Sequence, residues 1–162
     1  MHFPLILAVA WLSPGSKRLL STSRLIAMQA GEPGIRGLHL FQAAAGIPQS
    51  KAGRSIPKPA RTLLAKVPYR PENTSDLPEG PFYPISPHIE EACKDLAYPG
   101  QLVLPEALLK EVFKRDDETR QEIRDLLEPD IFELVDSRIM LPEFSVNQRN
   151  NLYLLKDRFK EN

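Results

Sequence analysis

Apolar positions follow two regimes along this chain. From Ser86 onward they recur at three- and four-residue spacing, which predicts amphipathic helices. In SPHIEEACKDLA the apolar face is Ile89, Cys93 and Leu96, with Ser86 placed as N-cap and Pro87 at the first helical position. PEALLKEVFKR repeats the pattern with Leu108, Leu109, Val112 and Phe113, and Glu111 stands four residues before Arg115 as a surface pair. Lys114 to Glu122 carries no apolar residue, and the stripe resumes at Ile123, Leu126 and Leu127. A restart there would be capped by Asp116 or Asp117, with Thr119 and Glu122 as a capping box. After Pro129, Asp130 and Glu133 offer a second box, and Ile131, Leu134, Val135 and Ile139 a stripe. A last stretch from Ser145 brings Val146, Leu152, Leu155 and Phe159 together.

Before Ser86 the periodicity is cut by punctuation. Residues 28–85 hold most of the glycines and prolines, which predicts an extended chain. One apolar island, GLHLFQAAAG, is long enough for a helical turn or two, or continues the leader. From Ser50 to Pro71, cations alternate with proline, and the segment reads as an arm carrying Lys51, Arg54, Lys58, Arg61, Lys66 and Arg70, with Tyr69 available to stack on a base. The expected fold class is therefore mostly α. Short helices form a small acidic C-terminal module over 86–162, preceded by a long extended, basic, Pro/Gly-rich N-terminal arm over 28–85.

Charge sharpens this division. The 162 residues are neutral overall, with 21 basic and 21 acidic side chains. Met1 to Ser75 nevertheless carries ten basic residues against Glu32 and Glu72, so the acids concentrate in the remainder. Halves of opposite sign point to a charged partner or to targeting, or to attraction between the halves themselves.

The leader is apolar and acid-free. MHFPLILAVAWL is shorter than the roughly 20 residues a membrane span needs, and Met1 to Gly31 contains no Asp or Glu. Arg, Ser and apolar residues without acids are the composition of a mitochondrial presequence. Arg18, Leu20 and Ser23 have the spacing of two-step matrix processing, which places a removable segment at 1–27 with a cut after Ala27. A secretory reading would instead cut near Ser16 and use Asn73, in NTS, as a glycan acceptor.

Candidates for chemistry are few. The chain has three histidines. His2 and His39 fall in the leader or the arm, and His88 sits in a helical first turn with no second His at i+4. Asp116, Asp117 and Glu118 read as a cap and a solvated face. The lone Cys93 reads as a small buried hydrophobe. No catalytic, cofactor-binding or metal-binding residue is expected.

The expectation is a non-catalytic accessory component of a mitochondrial matrix assembly, the mitochondrial ribosome first. The basic arm would lie on ribosomal RNA or between proteins, and the helical module would dock on neighbours. The alternatives are an accessory subunit or assembly factor of a respiratory complex, whose arm would meet protein or lipid, and a small secreted helical protein.

Overall fold

The structure is a computed structural model that describes residues 11–66, 84–98 and 100–140. Among these residues the chain is mostly helical. The helices are α1 (Pro14–Gln29), α2 (Gly37–Ala45), α3 (Lys51–Arg54), α4 (Lys58–Leu64), α5 (Pro87–Ala97), α6 (Pro105–Arg115), α7 (Asp117–Leu126) and α8 (Pro129–Ile139).

Proline starts these helices more often than it stops them. Pro14, Pro59, Pro87, Pro105 and Pro129 all lie in the first turn of a helix, where the missing N–H costs no helical hydrogen bond. Side-chain caps complete several starts. Ser13 accepts from the Ser16 N–H at 3.1 Å, Ser50 from Gly53 at 2.9 Å, Ser86 from Ile89 at 3.4 Å and Asp116 from Thr119 at 3.1 Å.

Helix α2 is the hub. It packs against α1, α3, α4, α6 and α7, and its Leu40, Phe41, Ala43 and Ala44 are fully buried. Short alanine side chains let the surrounding helices approach closely, and Phe41 supplies bulk. The Phe41 ring lies 5.8 Å from that of Phe113 on α6, which is 6.3 Å from that of Phe132 on α8, within the range of favourable tilted aromatic contacts. At the start of α2, a Cβ on Gly37 would collide with the Thr119 side chain of α7, so this crossing requires glycine.

Two isolated parallel bridges tie early residues to late ones, Leu12 with Val103 and Ile35 with Ile85. In the first, the Ser13 N–H donates to the Val103 carbonyl at 3.0 Å and the Val103 N–H to the Trp11 carbonyl at 2.7 Å. In the second, Ile35 donates to Pro84 at 2.8 Å and Ser86 to Ile35 at 2.9 Å.

Several expectations need correction. Residues 37–64, read as part of an extended arm, contain three helices whose inner residues Ala52, Ile56, Ala60 and Leu64 join the same core as α5–α8. The processing residues also lie in folded structure. Leu20, Ser23 and Ala27 are buried on α1, and the Ser23 hydroxyl donates to the Leu19 carbonyl at 2.7 Å. A cut after Ala27 would take Leu19, Leu20 and Ile26 out of the core. At the α7 start Asp116 is the cap, and Thr119 answers through its hydroxyl to Asp116 at 2.8 Å rather than pairing with Glu122. At α8, Glu128 holds the cap position without a side-chain bond, so Asp130 and Glu133 form no box. The buried face of α8 is Phe132, Val135 and Ile139, while Leu134 is 52% exposed. The stretch from Ser145, with Asn73, Tyr69 and Arg70, lies outside the described residues.

Candidate functional site

Four of the five predicted cations of 51–66 are exposed. Lys51 and Arg54 are exposed on α3, Lys58 is exposed at the start of α4, and Lys66 is exposed just after it. Arg61 is half-buried, and its guanidinium donates to the Gly53 carbonyl at 3.2 Å, fastening α4 to α3. The Lys66 N–H donates to the Gln42 carbonyl at 3.3 Å, which holds the segment's end against α2.

The inner side explains why the cations face out. Ala52, Ile56, Ala60 and Leu64 recur at four-residue spacing and are all buried. This stripe is the signal of the helices, and the prolines between its members, Pro57 and Pro59, obscure it because they read as chain breaks. The same burial makes the surface rigid, so its cations are presented without the ordering cost of a free arm.

Among the described residues these cations also lack acid partners. No Asp or Glu occurs between Glu32 and Glu72. Among the described residues, ion pairs link Arg36 to Glu32 and Glu122, His39 to Glu32, Lys114 to Glu111, Arg115 to Asp95 and Glu111, and Arg120 to Asp117. None involves Lys51, Arg54, Lys58, Arg61 or Lys66. Such a face attracts polyanions by counterion release, with a strong dependence on salt.

A second cluster was not foreseen. His39, expected in a flexible arm or removed with the leader, is 2% exposed on α2. Its Nδ1 accepts from the Arg36 N–H at 2.9 Å and its Nε2 lies 3.0 Å from a Glu32 oxygen. Arg36 in turn forks onto Glu32 at 2.8 and 3.0 Å and reaches both oxygens of Glu122 at 2.5 and 2.7 Å. Burial holds the His39 pKa below the ordinary imidazole value, against the opposing pull of Glu32. The hydrogen bond from Arg36 holds Glu32 below the usual carboxylate range. With Nδ1 accepting, a neutral imidazole donates from Nε2 to Glu32, so both ring nitrogens are engaged. The cluster ties the α1–α2 connection to α7.

The other candidates occupy structural positions. Both Asp116 oxygens engage Thr119, and Asp117 pairs with Arg120. His88 is half-buried in the first turn of α5. Cys93 is buried beneath α5, and desolvation pushes its thiol up to about 12. A cavity of about 310 Å³ lies between the starts of α1, α3 and α6, with Leu19, Ile47 and Leu104 among its walls and Arg18, Lys51 and Glu106 beside them. No family model, curated protein or solved structure matches this chain.

Proposed function

We propose that this chain is a non-catalytic accessory component of a mitochondrial assembly, the mitochondrial ribosome first, and that the outer surface of α3 and α4 lies against ribosomal RNA. The observation that carries this reading is that Lys51, Arg54, Lys58 and Lys66, on a segment whose other side is packed into the core, are exposed and unpaired with any described acid. The acid-free stretch from Met1 to Gly31 supports delivery to the matrix. In this reading α1 stays with the mature chain, because its apolar face belongs to the core.

The test is RNA binding by the purified chain across a salt series. Each phosphate contact contributes about 0.7 to 0.9 to the slope of log affinity against log salt. Replacing Arg54, Lys58 and Lys66 together by Gln should weaken binding and flatten that slope, with helical content unchanged. Arg61 is kept, since it holds α3 to α4. In cells, the tagged protein should sediment with a mitochondrial ribosomal subunit and leave it at high salt. Binding that is absent, or indifferent to the triple replacement, overturns the reading. Comigration with a membrane complex would put a respiratory accessory role in its place.

A further inference from the structure

A separate surface carries its own chemistry. The Leu12–Val103 bridge buries both of its central side chains, at 4% and 1% exposure. Of their four chain neighbours, Ser13 is buried at 6% exposure and the other three turn outward, as alternation along extended backbone favours. Trp11, Leu102 and Leu104 are 42%, 58% and 43% exposed, and Tyr98 is 81% exposed. The Trp11 ring lies over Gly100, where an added Cβ would stand 3.5 Å from it, so the indole sits beside a residue that is two positions in sequence from both Tyr98 and Leu102. Leu104 also lines the cavity that Arg18 and Lys51 flank, which places cations on the rim. Neither cation pairs with a described acid, although Glu106 lines the same cavity.

We infer that this face seats on an anionic lipid surface. Trp and Tyr combine an apolar ring with a polar edge and favour the headgroup level, Leu102 and Leu104 supply apolar area that phosphate-rich RNA has no use for, and Arg18 and Lys51 complement lipid phosphate. Among the described residues no helix is long and apolar enough to cross a membrane, so the contact is interfacial. It goes beyond the RNA-binding reading and uses a different set of residues, Lys51 alone being common to both.

The chain's single tryptophan, Trp11, is a native reporter. The full-length protein would be mixed with vesicles of phosphatidylcholine alone, or of phosphatidylcholine with phosphatidylglycerol. Flotation and Trp11 emission would be followed, together with quenching by brominated lipid. Anionic vesicles should bind the protein, shift Trp11 emission to the blue and expose it to the quencher, and neutral vesicles should do so weakly. Tyr98→Ser with Leu102→Ser should lower vesicle affinity about tenfold or more, as loss of buried apolar area predicts, with an unchanged helical spectrum. If that pair fails to fold, quenching of Trp11 in the unaltered protein decides alone. The proposal is overturned if vesicles leave Trp11 unquenched, if neutral and anionic vesicles bind equally, or if the two serines instead dissolve a dimer of the chain that shields Trp11. Replacing Arg54, Lys58 and Lys66 should leave vesicle binding intact, so loss of RNA binding with retained lipid binding defeats only the earlier reading.

Discussion

One guanidinium nitrogen of Arg36 sits 2.5 and 2.7 Å from the two carboxylate oxygens of Glu122, 86 residues away. This ion pair crosses between the basic and the acidic half of the chain. Both side chains keep about a third of their surface in water, at 36% and 27% exposure, which reduces the strength of the contact. Glu122→Gln should therefore destabilise the fold by about 1 to 2 kcal/mol, below the upper range for a charged hydrogen bond. Urea unfolding, with Arg36→Met and the double variant completing a cycle, measures the coupling. A coupling of zero would show the pair to be incidental.

Acid should weaken the fold in two stages. The folded chain keeps His39 neutral at pH values where the unfolded chain, near 6.5, takes up a proton. The unfolded state then binds more protons, so stability falls as pH drops below about 6.5. Glu32 acts lower down. Its folded pKa lies below 4.5, so its contribution is present above that value and is lost as pH falls through the folded pKa. Denaturation midpoints between pH 8 and pH 5 check the first stage, and His39→Gln should flatten it. An unchanged slope in that variant would assign the pH dependence elsewhere.

Helix α1 should prove indispensable. Leu19 and Ile26 are 3% and 5% exposed, and truncating either to Ala should cost about 2 to 4 kcal/mol. A chain beginning at Met28 should lose cooperative unfolding altogether, and the N-terminus of protein recovered from cells should lie before Pro14. A stable, cooperatively folding chain from Met28 would show that α1 packs without supporting the core.

The crossing of α2 over α7 offers a sharper test of packing. Gly37→Ala should destabilise by about 1 to 3 kcal/mol through collision with Thr119. Adding Thr119→Ala should cost less than the sum of the two single changes, because removing the hydroxyl and methyl frees part of the required space. Strict additivity would mean the helices shift apart to admit the methyl.

The C-terminal helices were readable because each carries its own start signal. Ser86 and Asp116 cap as the pattern predicts, and Leu108, Leu109, Val112 and Phe113 form the expected buried face of α6. On α8 the expected Ile131, Val135 and Ile139 do face the core, but Leu134 is exposed and Phe132 takes its place, since Leu134 is as apolar as Phe132 and only packing against Phe113 distinguishes them. The N-terminal helices were hidden for another reason. Helices of four and seven residues fit between prolines, and a stripe as modest as Ala52, Ile56, Ala60 and Leu64 gains meaning only when a core exists to receive it. Of the candidate interface, the cations could be named from the sequence, and the short helices that carry them could not. The lipid-facing patch depends on a bridge between Leu12 and Val103, which no local pattern announces.

The pairing of Phe41 with Phe113 also bears on how the chain is made. Synthesis delivers α2 long before α6, so the hub helix emerges before its aromatic partner Phe113 exists. Early residues such as Leu12 and Ile35 likewise wait for Val103 and Ile85. The half of the polypeptide that appears first therefore completes its packing only when the second half joins it, an interval in which a chaperone could hold its open faces.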